Sequence, residues 1–284
     1  MNSFKIIKTQ RELRELLQKL DALGKPYNPV DTQKMSLHAR LSTSPKQSVD
    51  EDALDEITDV FGSIIEDEEY EFIDKDGKAV EECVELCVRL VDLYHRAGCH
   101  DDCVLIAELF MLLFLDLGSE IEKWFKAAEN LDLASLQKLH VIDCMIDSYL
   151  KVGHDSEPNE ERLSNLIDLS DILEDQSIQP WRLEVDNLRR QLDLCKAILR
   201  FSDEEEIKDR YVYLCQDLLH YAIPDGEEEE RETTEEAEKF YFIKDITQDK
   251  EVVRDYLQYA SSMSDFIDEE DLADFDKFLK YLSL

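Results

Sequence analysis

Only seven glycines and six prolines interrupt this chain of 284 residues. Strand-rich folds need frequent turns, so this scarcity of helix-breaking residues predicts long helices joined by short connections. Hydrophobic residues make up 43% of the chain, which is enough to build a sizeable core. The predicted fold class is therefore all-α. Apolar residues at helical spacing predict helices over 9–23, 48–64, 81–97, 101–117, 119–130, 135–152, 158–175, 180–200, 203–222, 233–243, 249–262 and 267–282.

Two kinds of residue predict where these helices begin and end. A Ser or Thr followed three residues later by Glu forms a capping box, in which the side chains bond unpaired amides of the first turn. Such pairs are Thr9 with Glu12, Ser48 with Glu51, Ser119 with Glu122, Ser202 with Glu205, and Thr233 with Glu236. Glycine tolerates the left-handed conformation that often ends a helix, and we expect Gly98, Gly118 and Gly153 to adopt it.

Changes in composition divide the chain into three parts. Residues 1–24 form a basic amphipathic helix, residues 25–47 a linker with three prolines and little periodicity, and residues 48–284 an acidic helical body. A turn rich in Asp and Gly at 74–77 lies between two short apolar segments, so one small β-hairpin is an option near residues 70–80. A loop is the equal alternative there.

The charge of the chain is strongly negative. There are 68 Asp and Glu against 32 Lys and Arg, which gives a net charge of -36 at pH 7. The excess lies after residue 48, because residues 1–48 hold nine basic and four acidic residues. Such a surface repels nucleic-acid phosphates and anionic lipid headgroups and attracts basic protein surfaces. We therefore expect a basic protein partner, with no direct nucleic acid and no membrane. The basic N-terminal segment can dock on the acidic body or form a separate contact surface.

Hydrophobicity and cysteine content indicate a compartment. The first eight residues lack the apolar core of a secretory signal, and the longest strongly apolar run, Leu109–Leu115, is too short to span a bilayer. The seven cysteines are an odd number without the paired spacing of a small secreted domain. We expect reduced thiols and a cytoplasmic protein, whose oligomeric state the sequence does not indicate.

One pattern recurs at a spacing of 55 residues. Segments 92–98 and 147–153 share an Asp, a Tyr, a basic residue and a Gly at the same offsets, each at a predicted helix end. Such repetition favours stacked helical hairpins, because each hairpin leaves an apolar face that a neighbour buries.

The step from Tyr94 to Gly98, with Leu90 and Val91 before it, resembles the helix–turn–helix unit of the tetratricopeptide family. The resemblance covers about residues 81–175. It implies antiparallel helical hairpins stacked as a solenoid that binds peptides or proteins. An irregular helical array is the alternative, and the resemblance assigns no binding residue.

Six side chains that can bind zinc occur close together: Cys83, Cys87, His95, Cys99, His100 and Cys103. Three of these thiols fall on apolar helical stripes, which predicts core positions for them. In an antiparallel hairpin that turns at Gly98, Cys87 lies roughly 18 Å from the turn. We therefore expect no metal site, and a site of His95, Cys99, His100 and Cys103 is the alternative.

Two other motifs suggest enzyme chemistry. The doublets His100-Asp101 and His154-Asp155 resemble the His-Asp pair of all-helical metal-dependent phosphohydrolases, but the further ligands of that family are not evident. The pairs Asp92 with His95 and Asp217 with His220 place a carboxylate and an imidazole on one helix face, as di-iron bundles do. We interpret both pairs as surface pairs and expect no catalytic residue and no cofactor.

These observations predict a non-enzymatic protein–protein interaction module, an adaptor or scaffold, that binds a basic protein through an acidic helical surface. The expected contact residues are Glu66, Asp67, Glu68, Glu69, Glu227, Glu228, Glu229 and Glu230. The first alternative is an inhibitor, immunity protein or DNA mimic that blocks a basic nuclease or DNA-binding protein. The second alternative is the metal phosphohydrolase.

Overall fold

The computed structural model describes residues 2–25, 49–66, 78–114, 116–130, 132–152, 160–175, 181–222 and 250–282. These residues are almost entirely helical, and no strand occurs among them. The α-helices are α1 (Asn2–Leu23), α2 (Glu51–Glu66), α3 (Lys78–Ala97), α4 (His100–Leu112), α5 (Leu117–Ala128), α6 (Leu133–Lys151), α7 (Glu160–Glu174), α8 (Trp181–Leu199), α9 (Glu205–Ala222), α10 (Lys250–Ser261) and α11 (Glu269–Leu282). A short 3-10 helix, Ser264–Phe266, precedes α11. The predicted all-α fold is confirmed.

The described helices belong to two compact units, with α1–α6 in the first and α7–α11 in the second. Helix α3 is the centre of the first unit, because it packs against α1, α2, α4 and α6. Its apolar stripe is buried as the spacing predicts, and Cys83, Cys87, Leu90 and Tyr94 are at most 1% exposed. The boundary between α6 and α7 was not predicted from the sequence.

In the second unit the helices pack in chain order. Helix α8 lies against α7 and α9, α9 contacts α10 and the 3-10 helix, and α10 contacts α11. Apolar side chains from successive helices form the core of this unit, among them Leu192, Cys195, Tyr211, Cys215, Leu257 and Phe275.

The basic N-terminal helix docks on the acidic body, which was the first of the two predicted options. Nη1 of Arg89 lies 2.8 Å from Oδ1 of Asp21, and its Nη2 donates to the carbonyl oxygen of Gly24 at 3.0 Å. The side chain of Arg89 is only 7% exposed. Arg14 also pairs with Glu82 at 2.5 Å. The C-terminal half of α1 is therefore fixed to α3 by charged as well as apolar contacts.

Aspartates cap the first turn of several helices, including one where the sequence predicts a Ser cap. The carboxylates of four of them accept a hydrogen bond from the amide three residues further on: Asp50, Asp116, Asp132 and Asp268. Asp and Ser are about equal as N-caps, so an acidic chain offers many alternatives to a predicted Ser cap. The cap predicted at Ser119 is wrong, because its amide bonds Asp116 and α5 begins two residues earlier. Thr9 lies inside α1, and Ser202 precedes α9 by three residues.

Of the three predicted glycine stops, Gly98 is confirmed and Gly118 is wrong. Gly98 has a φ of 85°, and its amide bonds the carbonyl oxygen of Tyr94 at 3.0 Å. Gly118 lies in the first turn of α5, because α4 already ends at Leu112. There the amide of Leu113 bonds the carbonyl oxygen of Phe110, three residues back, and this tighter turn ends the helix.

Other predicted features lie wholly or partly outside the described residues. These are the capping positions 48, 233 and 236, the helix at 233–243, Gly153, and the linker at 25–47 except for its first residue. Residues 70–77 of the optional hairpin are also outside, whereas residues 78–80 form the first turn of α3. Val80 continues the apolar stripe of α3, which explains why this segment is helical.

Candidate protein-binding surface

Most of the acidic residues predicted as a contact group lie outside the described residues. Glu66 is the last residue of α2, while residues 67–69 and 227–230 fall in the undescribed parts of the chain. Their role as a contact surface therefore remains a prediction from sequence.

A different group of carboxylates lies close together in the first unit. Glu51 and Asp55 lie in the N-terminal half of α2, and Asp101 and Asp102 lie in the first turn of α4. All four residues are exposed. Burial raises the pKa of the Asp102 carboxyl, and the charges of Asp55, Asp101 and Glu51 raise it further. These four residues form the α2–α4 carboxylate cluster, in which the neighbouring like charges disfavour the ionised form of Asp102.

Tyr94 connects this cluster to the core. Its hydroxyl donates a hydrogen bond to Oδ1 of Asp55 at 3.1 Å and lies 2.8 Å from Oγ1 of Thr58. Because the ring is 1% exposed, burial raises the pKa of the Tyr94 hydroxyl above its ordinary value. The hydroxyl thus remains a neutral donor at physiological pH and holds α2 against α3.

Helix α4 is apolar on nearly all sides. Its inner face is buried against α3 and α6, with Cys103, Ile106 and Phe110 at most 2% exposed. On the opposite face, Leu105 is 51% and Leu112 is 64% exposed. A surface helix normally carries polar residues on its outer face, so exposed leucines here are unusual.

Behind the turn at Gly98 lies a buried polar network that the sequence analysis missed. Nη2 of Arg96 contacts Oδ2 of Asp92 at 2.5 Å, and Nε2 of His95 lies 2.6 Å from Oδ2 of Asp147. Asp92 and His95 are 3% and 6% exposed. The prediction that they form a surface pair is therefore wrong, because α6 covers this face of α3. The side chain of His220 lies outside the described residues.

The repeated sequence pattern has a structural counterpart. In the first copy Asp92 pairs with Arg96, and in the second Asp147 pairs with Lys151, each four residues on. Each Tyr hydroxyl donates to a carboxylate of another helix, Tyr94 to Asp55 and Tyr149 to Glu108. The aspartates and tyrosines of the pattern were therefore a usable signal for the buried network.

The other suspected chemical groups are engaged in local contacts. Nδ1 of His100 lies 3.1 Å from Oγ of Ser148, and burial lowers the pKa of that imidazole. Burial raises the pKa of the Cys103 thiol to about 12. His154 and Asp155 are outside the described residues. In the part of the chain that the structure describes, no group of three or more His, Cys, Asp or Glu side chains is arranged to hold a metal ion.

The second unit contains a cleft of about 330 Å³ between α9, α10 and the 3-10 helix. Lys208 lines it, pairs with Asp203, and lies 4.7 Å from the ring centroid of Phe266. These contacts explain the position of Lys208 as a link between α9 and the 3-10 helix.

None of the described helices is long and apolar enough to cross a membrane. Comparisons with protein-family models, curated proteins and solved structures find no match to this chain.

Proposed function

We propose that this chain is a non-enzymatic protein-interaction module, an adaptor or scaffold, that binds a basic protein through its acidic helical surface. The observation that carries this proposal is the α2–α4 carboxylate cluster, in which partial burial and then the charges of Asp55, Asp101 and Glu51 raise the pKa of Asp102. A cationic side chain at the cluster would relieve that repulsion. The net charge of -36 also attracts a basic partner as it diffuses toward the chain.

The buried nucleophiles support binding rather than catalysis. A cysteine acts as a nucleophile through its thiolate, which needs a lowered pKa and access to substrate. Here burial raises the pKa of Cys83 and of Cys195 to about 12, and both thiols are fully buried. These thiols fill core positions.

The test is capture of partners from a native cell extract on the immobilised chain, followed by elution with salt. We expect basic proteins that elute well before about 1 M salt, where the Debye length is about 3 Å. Each partner is then titrated against a variant with Asp55→Asn, Asp101→Asn and Asp102→Asn, which we expect to bind roughly tenfold more weakly. Neutralising Glu81, Glu85 and Glu129, three exposed carboxylates elsewhere in the first unit, is the matched control.

Partners that are neutral or acidic, or that stay bound at about 1 M salt, would contradict charge-led recognition. Equal loss in both triple variants would show that only overall charge matters and that the cluster is not the contact. Recovery of a nuclease or DNA-binding protein would assign the same acidic surface to the inhibitor alternative.

A further inference from the structure

Three leucines of α4 form a continuous stripe, in which Leu105 and Leu112 are exposed and Leu109 is half-buried. Leu105, Leu109 and Leu112 follow at intervals of four and three residues, so they share an arc of about 60° on the helix. The stripe is about 10 Å long, which corresponds to two helical turns. We call these three residues the α4 leucine face.

Acidic residues border this face. Asp102 flanks the α4 leucine face on one side and Glu108 on the other, while Asp101 lies one turn before Leu105 on the same line. The Tyr149 hydroxyl donates to Oε1 of Glu108 at 2.7 Å. Helix α4 itself contains no Lys or Arg.

The charge pattern selects among the possible occupants. A second copy of this chain would bring the same carboxylates and another net charge of -36 to the contact. Nucleic acid and anionic lipid surfaces are repelled by the same carboxylates. A protein segment with apolar residues along one face and Lys or Arg beside them complements both the leucines and their border.

We propose that the α4 leucine face binds an amphipathic basic helix of a partner protein, an inference that rests on the proposed basic-partner function. The two helical turns of the α4 leucine face match a helix whose apolar residues recur at i, i+3 or i+4, and i+7. Lys or Arg beside those anchors pairs with Asp102, with Glu108 and, one turn away, with Asp101. The leucines supply burial of apolar surface, while the carboxylates orient the incoming helix.

The experiment uses the full chain and three synthetic fluorescent peptides, with anisotropy as the readout. The first peptide carries leucines at helical spacing with lysines on both flanks. The second has the same composition with the leucines scrambled, so that they share no face, and the third replaces each lysine by glutamate. We expect the first peptide to bind at least tenfold more tightly than the other two.

The chain is then altered at its most exposed positions. Leu105→Gln with Leu112→Gln removes the apolar contacts and keeps good helix formers, and circular dichroism checks the fold. We expect roughly tenfold weaker binding of the first peptide to this variant, but unchanged binding to Tyr213→Gln, a control at a 60% exposed aromatic residue of α9. Hydrogen exchange should show new protection over residues 100–112 and none over 205–222.

Three outcomes would refute the inference. These are that the first peptide fails to bind, that the scrambled peptide binds equally well, or that the leucine variant binds the first peptide with full affinity. Sedimentation that shows a dimer lost in the leucine variant would assign the face to a second copy. If the leucine variant keeps full affinity while the Asp55, Asp101 and Asp102 neutralisation weakens binding, only this inference fails. If no salt-sensitive basic partner binds at all, the proposed function fails with it.

Discussion

Nε2 of His95, on α3, lies 2.6 Å from Oδ2 of Asp147, on α6. The two side chains are only 4% and 16% exposed. Nζ of Lys151 reaches the same carboxylate oxygen at 2.5 Å. The carboxylate of Asp147 therefore joins α6 to α3, two helices that are far apart in sequence. Its partner His95 lies three residues before the turn at Gly98.

Asp147→Asn is expected to lower the free energy of unfolding of the first unit by about 1–3 kcal/mol, because hydrogen bonds to a charged group are strong. Burial alone would raise the pKa of Asp147, but hydrogen bonds from His95 and Lys151 hold it below the ordinary value of 3.8. Since the folded pKa is the lower one, this stabilisation is complete above the ordinary value. It is lost as the pH falls through the folded pKa.

The measurement is urea unfolding at a series of pH values, followed by Trp124 fluorescence in a Trp181→Phe background. Trp124 lies in the first unit, so the signal reports that unit. The difference in the free energy of unfolding between the original chain and Asp147→Asn should be constant above about pH 5 and should shrink below about pH 4. A difference independent of pH would refute the role of the charge.

The two described glycines with open space around them should respond oppositely to alanine. A Cβ at Gly98 or at Gly62 meets no atom within 4 Å. Gly98→Ala should destabilise the first unit by about 1–2 kcal/mol, because an L-residue is strained at a φ of 85°. Gly62 lies inside α2, so Gly62→Ala should stabilise it by about 0.5–1 kcal/mol. Urea midpoints that move in the same direction would contradict this account.

Arg89→Met should release the C-terminal half of α1. The substitution removes the bonds to Asp21 and to the carbonyl oxygen of Gly24 while it keeps a long apolar stem, so we expect a loss of about 2–3 kcal/mol. Hydrogen exchange over residues 10–23 should rise before that of α3. Lys19→Gln, which removes the exposed pair with Glu56, is the control and should cost less than about 1 kcal/mol. Equal effects of the two changes would show that burial of Arg89 is unimportant.

Cys99 should be the first thiol of the folded chain to react with a disulfide reagent, because it is partly exposed and the other six cysteines are buried. Burial, followed by the charges of Glu51, Asp102 and Asp55, raises its pKa. Asp102→Asn should therefore speed the reaction roughly twofold, while Glu85→Gln should leave it unchanged. Absorbance at pH 8 follows the thiolate that the reagent releases when it exchanges with a cysteine. A fast phase of the thiol reaction that persists in Cys99→Ser would show that another thiol reacts first and would contradict the prediction.

The positions of most helices could be predicted from sequence because the signals are local. Apolar spacing and the glycine after Ala97 define the helix–turn at Gly98 without knowledge of any partner helix. Helix starts were less predictable, since several nearby residues can cap equally well. At α5 the carboxylate of Asp116 accepts a hydrogen bond from the amide of Ser119. Intrinsic capping preferences do not rank an Asp above a Ser that follows a few residues later.

The candidate surface was harder to predict. The run beginning at Leu109 is visible in the sequence, but whether its leucines face a neighbour depends on which helices pack around α4. In the same way, the sequence shows that carboxylates are abundant, while the packing of α2 and of α4 on α3 brings Asp55 near enough to Asp102 to raise its pKa.

The sequence by itself determined an all-helical, strongly acidic chain, because helical periodicity and net charge are properties of neighbouring residues and of composition. Tertiary packing decided that Asp92 and His95 are buried, that Leu105 and Leu112 are exposed, and that the described helices form two units. Burial depends on contacts between residues distant in the chain, such as His95 with Asp147. The repeated sequence pattern includes Asp147, but it does not show that His95 is its partner.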